Sequence, residues 1–328
     1  MSKVGSRFGA ISVAVSGLLL CGLALVWPEP KEHRPFALAV GVWPGMETLT
    51  LARESGVLAE QDVNFVELSW TSAKMMAFEN RVVDGAVVTL DEMLRLKGGG
   101  HNIKAVLVMG ASKGGDAILA HPAIKTLADL KGKRVGVELR ACGEYFLTQA
   151  LHTVEMTLED VEIVPLNLAE AENAYEQHEL DAVVTMDPGK TRLLEKGALS
   201  LFDSTQISQT LFRVLVVRED LLKNRRDILQ SLVRAHFNAL PVLQSDHAEE
   251  GMAAVLRRER LTRKQFSTAL SKIEEYSQEE NFTLLSPGLE GLEPILKKMA
   301  SFMKYEGFLD SDETWQGLLD NSLVKGDL

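Results

Sequence analysis

From residue 36 to about residue 217, short apolar or β-branched runs alternate with segments of helical period. The runs lie at 36–42, 63–68, 86–89, 103–109, 134–137, 161–165, 182–185 and 213–217, each four to seven residues long and largely apolar. Strands buried on both faces read this way. Between them "TLTLARESGVLAE", "SAKMMAFENRV" and "GEYFLTQALHTV" carry apolar residues three and four apart, which predicts crossover helices and an α/β chain of mostly parallel sheets flanked by helices. After Glu219 the rhythm changes. "DLLKNRRDILQSLVRAHFNALPVLQS" and most of the chain beyond it are helical in period, so the C-terminal hundred residues are predicted as a helical appendix. Pro241 is expected to kink or restart the first long helix, Ser286 and Pro287 to start the last, and Gly307 to stop it.

One segment nearly recurs. "AFENRVVDGAVVTLD" at 77–91 and "AYEQHELDAVVTMD" at 174–187 share 8 of 14 paired positions when Gly85 is taken as an insertion. Each copy reads as a helix end, a turn at Asp84 or Asp181, a buried strand and a closing acid, Asp91 or Asp187. Ligands of open α/β sheets bind at the carboxyl ends of strands. If the copies belong to different lobes, Asp91 and Asp187 face each other across a cleft.

The other strand ends supply companions. Trp43 and Glu47 lie in "WPGME", Trp70, Thr71 and Ser72 in "SWTSA", and Arg140 and Tyr145 in "ELRACGEY", all loops leading into helix N-termini whose free amides hold anions or polar groups. Gly114, Gly115 and Asp116 in "SKGGD" are candidate hinge residues, because glycine absorbs the backbone changes of a hinge. Lys113 and Arg140 are the basic candidates near the cleft, and Glu47, Asp91, Asp116 and Asp187 the acidic ones. Four acids favour an amine, a zwitterion or a nitrogen heterocycle over a bare oxyanion.

Composition narrows the function. The 328 residues suit two lobes, and a formal net charge of −11 with no basic run interleaved with aromatics argues against nucleic acid. "RRERLTRK" at 257–264 reads as the solvated face and end of a helix. At the N-terminus, Lys3 and Arg7 precede 20 uncharged residues from Phe8 to Trp27, a membrane-targeting segment. A cleaved signal with small residues at Gly22 and Ala24, a retained anchor, and a lipoprotein modified at Cys21 remain alternatives; Leu20 departs from the lipobox pattern. All three place the folded part in the periplasm or on the outer face of the cytoplasmic membrane. Cys142 is the only other cysteine, so no intramolecular disulfide is expected in the mature chain.

Catalytic signals are sparse. The seven histidines show no metal spacing, and Walker, G-x-G-x-x-G and G-x-S-x-G patterns are missing from the sequence. "KGGGH" at 97–101 reads as a helix stop and turn. Asp91 and Asp187 could serve as a general acid and base, but binding proteins use such acids without chemistry. The expectation is a protein that is not an enzyme and takes no cofactor or metal.

From about Ala39 onward, the chain resembles the periplasmic substrate-binding proteins of ABC importers of the nitrate, sulfonate, taurine and thiamine-precursor type. The resemblance rests on "GVWPGMETLTLARESGVLAEQDVNFVEL", "FENRVVDGAVVTLDEML", "IKTLADLKGKRVGVELR" and "MTLEDVEIVPLNLAEAENAYEQHELDAVVTMDP". It implies a two-lobed binding-protein fold of type II-like form, with residues 36–117 and 213–328 in one lobe, 118–212 in the other, residues 1–27 as signal or anchor, and crossings near 116–120 and 212–216. It also implies a small solute, sulfonate- or nitrate-like or nitrogen-containing, held by Trp43, Glu47, Trp70, Thr71, Ser72, Asp91, Arg140, Tyr145 and Asp187. The implied partners are an ABC permease and its ATPase, and the membrane if the N-terminal segment is retained or lipidated. Family members often carry an aromatic and Glu where Met186 and Asp187 stand. Thiamine-pyrimidine synthases share the fold, but their cysteine-rich motif is missing from a chain with two cysteines. A membrane-tethered sensor of the same fold is the alternative role.

Overall fold

The apolar runs pair into two sheets. The computed structural model describes residues 34–59, 62–68, 70–207, 211–245, 251–312 and 314–326. The N-terminal apolar segment, with Cys21 and its signal, anchor and lipidation alternatives, lies outside the described residues. Pro35–Leu328 pack as one unit. Among the described residues no helix is long and apolar enough to cross a membrane.

In chain order the elements are β1 (Phe36–Val40), α1 (Glu47–Glu54), β2 (Val63–Glu67), α2 (Thr71–Glu79), β3 (Gly85–Thr89), α3 (Leu90–Gly98) and β4 (Ile103–Ser112). The chain then enters β5 (Asp116–Ala120), β6 (Arg134–Val137), α4 (Cys142–His152), β7 (Glu162–Pro165), α5 (Leu168–Glu176), β8 (Ala182–Met186), α6 (Gly189–Glu195) and β9 (Leu199–Asp203). It returns through β10 (Phe212–Arg218) and ends in α7 (Leu221–Asn224), α8 (Arg226–Gln244), α9 (Met252–Glu259), α10 (Arg263–Leu270), β11 (Ile273–Glu274), α11 (Gln278–Leu284) and α12 (Glu293–Tyr305).

The first sheet has the order β11-β4-β10-β3-β1-β2 and the second β7-β6-β8-β5-β9. Both are mixed. The triples β2-β1-β3 and β7-β6-β8 are parallel, whereas β10 and β5 lie antiparallel beside them. The reason is topological: β10 and β5 arrive from the other sheet rather than through a helical crossover, so nothing obliges them to run parallel. Residues 116–120 and 212–216, near which the crossings were expected, are therefore strands. The chain passes between sheets at residues 113–115 and again between the turn Ser204–Gln206 and β10.

The repeat occupies matching places. β3 and β8 each sit between a parallel neighbour and an antiparallel one. The shared aspartates pin that parallel neighbour: Asp84 Oδ2 accepts the Ala37 N–H at 3.0 Å, and Asp181 Oδ2 accepts the Arg134 N–H at 2.9 Å. Arg218 pairs with Asp84 and Arg134 with Asp181. The hydrogen-bond register, however, matches Gly85 to Ala182, because Leu38 faces Gly85 while Val135 faces Ala182. Aligning identical letters is therefore one residue out of step with the strands.

Apolar burial follows the pattern. Val87, Val88, Val214, Leu215 and Val216 are at most 1% exposed, and each such side chain contributes roughly 1.5–3 kcal/mol relative to exposure. In the helical appendix, α8 runs on through Pro241 to Gln244 without restarting, and α12 begins at Glu293 with Pro294 in its first turn. Ser286 instead closes the preceding helix by donating to the Phe282 carbonyl. Gly307, at φ +74, follows the end of α12, and Gly100, at φ +86, follows α3. Both are the left-handed conformations that favour glycine after a helix.

Candidate functional site

Where β3 and β8 end, the two sheets present their carboxyl edges to a common cavity of about 490 Å³. The register explains its walls. Val87, Val88 and Thr89 line one side, and their register mates Val184, Thr185 and Met186 line the other.

Helix N-termini come next. α2 begins at Thr71, which lines the cavity, and its Ser72 N–H and Oγ both donate to Glu138 Oε1 at 2.9 Å. α3 begins with a capping box in which Glu92 Oε2 accepts the Thr89 N–H at 2.9 Å. The other oxygen of Glu92 accepts the Cys142 N–H at the start of α4, 3.0 Å away. Carboxylates of each sheet thus satisfy helix-start amides of the other. Burial raises the Glu138 carboxyl above the usual range.

Cations complete the lining. Lys74, one turn into α2, is 7% exposed, donates to the Val87 carbonyl at 3.2 Å and makes no ion pair among the described residues. Its burial lowers the ammonium's pKa. Arg213 pairs with Asp116 at 3.1 Å and stacks over Trp43 at 4.4 Å. Arg258 pairs with Glu47 and, at 3.2 Å, with Glu67, and donates to the Gly41 carbonyl. Arg192 pairs with Glu172 at 2.8 Å and reaches the Glu259 carbonyl. Asp187 Oδ1 accepts from the Thr191 N–H and Oγ1, Oδ2 lies 3.9 Å from Lys272, and burial raises its pKa.

A sequence profile described as the NMT1-like family matches residues 29–257. The chain belongs to the NMT1-like family. This NMT1-like protein is 26% identical over 254 residues, 75% of its length and 78% of the relative's, to the Escherichia coli (strain K12) protein named "Putative aliphatic sulfonates-binding protein". Among solved structures it resembles the alkanesulfonate-binding protein SsuA from Xanthomonas axonopodis pv. citri bound to MOPS, with a TM-score of 0.68 at 18% identity, covering 85% of this chain and 96% of that one. It also resembles the periplasmic nitrate-binding protein NrtA from Synechocystis PCC 6803, with a TM-score of 0.68 at 12% identity, covering 87% and 84%. At those identities the structural likeness concerns the fold.

Of the nine binding residues expected from the sequence of this NMT1-like protein, the cavity is lined by Thr71 and Asp187. Ser72, Glu47 and Trp43 stand directly behind lining residues, holding Glu138, Arg258 and Arg213 respectively. Asp91 is buried beside Thr89, whose hydroxyl it accepts at 2.7 Å, and does not line the cavity. The reason is the register: Leu90, not Asp91, follows β3 as Asp187 follows β8, so the two acids occupy different positions at the strand ends. Tyr145 turns toward α12, edge-on to Phe302 at 5.6 Å. Arg140 is exposed, at φ +58, and its backbone N–H donates to Glu144. Trp70 precedes α2 and is 40% exposed outside the cavity.

Gly114 and Gly115 form the passage into β5, while Asp116, expected as a hinge residue, begins the strand and lines the cavity. The residues missed were Lys74, Glu92, Glu138, Arg192, Arg213 and Arg258. Lys74 and Glu92 were legible as residues three positions beyond Thr71, the start of α2, and Thr89, the end of β3, one helical turn in from the loops that face the cavity. Arg258 was not, because "RRERLTRK" shows the pattern of a solvated helix face; in the structure Arg258 is half-buried and pairs with two carboxylates, while Arg257 and Arg260 line the cavity mouth.

Proposed function

We propose that the protein is the extracytoplasmic solute-binding component of an ABC importer, closing two lobes on a small polar solute and presenting the closed form to a permease and its ATPase. The observation that carries this reading is the cavity at the facing carboxyl edges of the two sheets, lined by charged side chains from both. A solute that touches both sides stabilises the closed arrangement by its differential affinity. In this reading Thr71, Lys74, Glu138, Asp187, Arg192 and Arg258 contact the solute, Gly114 and Gly115 are the pivot, and residues 36–117 with 213–328, and 118–212, are the moving lobes. The N-terminal segment delivers the chain to the periplasm or holds it on the outer face of the cytoplasmic membrane. The relatives' sulfonate and nitrate ligands support a small polar solute.

The test is a thermal-shift and calorimetric screen of the full-length chain against sulfonates, nitrate, amino acids, amines and nitrogen heterocycles, followed by mass spectrometry of the recovered solute. A ligand of the native state raises the melting temperature. Binding with the solute recovered intact is the expected outcome. Conversion of the solute would replace this reading with an enzyme, and silence across a broad panel would overturn it.

A further inference from the structure

In a cavity closed by two lobes, the strongest places for an anionic head are the amides at helix starts. Here an amide at each of two such starts, those of α2 and α4, is already taken from within. Glu138, carried at the end of β6 in the second sheet, takes both donors of Ser72 at the start of α2 in the first. Glu92, on α3 of the first sheet, takes the Cys142 N–H at the start of α4 in the second. Both carboxylates line the cavity, and both are under a tenth exposed.

Lys74 lies near both. Its ammonium is equally buried, lines the same cavity, and makes no ion pair among the described residues. The fields of Glu92 and Glu138 both reach it. An oxyanion placed here would meet two fixed carboxylates before it met the helix amides, and like charges at close range in a poorly hydrated site repel strongly.

We infer that Glu138 is a specificity-determining residue: its carboxylate occupies the donor site at the start of α2 from the opposite lobe, so that the inner end of the cavity selects a solute group that donates hydrogen bonds, an ammonium or amide N–H, over a sulfonate or nitrate head. This rests on the solute-binding reading above. Any anionic group of the solute then faces the mouth, where Arg257 and Arg260 stand exposed and line the cavity. The same interaction joins the lobes without a solute, because Glu138 and Ser72 come from different sheets.

Two measurements on the full-length chain decide it. In the first, methanesulfonate, the head group alone, is titrated against wild type, Glu138→Ala and Glu138→Gln. Removing Glu138 frees the Ser72 donors and relieves Lys74 of an acidic neighbour, so the alanine variant binds methanesulfonate at least tenfold more tightly than wild type. The glutamine variant, which keeps the size and an acceptor, lies between. Equal affinity within twofold, tighter binding by wild type, or no binding to any of the three overturns the inference.

In the second, spin labels at Met76→Cys on α2 and Asn173→Cys on α5, both exposed, report the distance between lobes with no solute present. Wild type populates mainly the short distance, and Glu138→Ala shifts toward longer ones. Identical distributions overturn the inference. Because this readout needs no solute, it separates failure of the Glu138 assignment from failure of the solute-binding reading, which the broad screen tests.

Discussion

Asp116 and Arg213 occupy matching places in the two sheets and bond to each other. Asp116 faces Met186, the last residue of β8, and Arg213 faces Thr89, the last residue of β3. Their side chains meet at 3.1 Å and are each under a tenth exposed. The pair therefore joins the antiparallel strand that enters one sheet to the strand that returns to the other, at the floor of the cavity.

Breaking that pair leaves a buried charge without its partner. Arg213→Met is expected to lower stability by about 3–5 kcal/mol, whereas Asp116→Asn combined with Arg213→Met recovers much of the loss, because the lone charge is gone. Urea unfolding of the two single variants and the double variant measures the coupling.

Lys74 sets stability against function. Its buried ammonium has a backbone carbonyl but no carboxylate as direct partner among the described residues. Lys74→Met, similar in length and uncharged, is expected to raise stability by about 1–2 kcal/mol and to weaken binding of the solute selected by the screen at least tenfold. Thermal unfolding and calorimetry on the same preparation check both halves. Loss of stability together with unchanged affinity would remove Lys74 from the site.

Asp91 and Asp187 should separate. Asp187→Asn is expected to weaken solute binding about tenfold or more, and Asp91→Asn to leave it within twofold, since a lost charged hydrogen bond is worth about 1.5–3 kcal/mol and only Asp187 lines the cavity. Asp91 acts on stability instead. Burial, with Glu92 beside it, raises its carboxyl to about 7. A raised folded-state pKa favours the folded protein at pH values below the unfolded carboxylate pKa, and that contribution is lost as pH rises through about 7. Asp91→Asn should therefore be more stable than wild type at pH 8.5 and close to it at pH 4.5, as denaturant midpoints at the two pH values would show.

His236 has the opposite sign. Burial lowers its imidazole to about 4, with Thr48 Oγ1 2.9 Å from Nδ1. A depressed histidine contributes stability that is present above the unfolded value, about 6.5, and is lost as pH falls through about 4. Wild type should lose stability progressively between pH 6.5 and 4, by up to about 3 kcal/mol from this group, and His236→Gln should flatten that part of the profile. Melting temperatures across pH 4–8 test it.

Much of the fold was legible because burial imposes local patterns. Six of the eight apolar runs became strands within one residue of their expected limits at both ends, while the first ends two residues early, at Val40, and the fourth continues to Ser112. β5 and β9 were not anticipated. "DAILA" follows a glycine turn without a helix before it, and "LSLFD" alternates polar and apolar residues at the edge of its sheet. Neither shows the long apolar run of a central strand.

The sequence by itself determined most of the secondary elements, the two related sheet halves and the family, because strand burial, helix period and the Asp-marked turns before β3 and β8 are local and recur along the chain. Only the tertiary structure decided the site. A one-residue offset in register sends Asp91 into the packing around Thr89 and leaves Asp187 on the cavity, although both end identical-looking segments. Glu138 reaches Ser72, and Arg258 reaches Glu47, across 66 and 211 residues of chain. Such contacts depend on how two sheets are juxtaposed, and no local pattern records that.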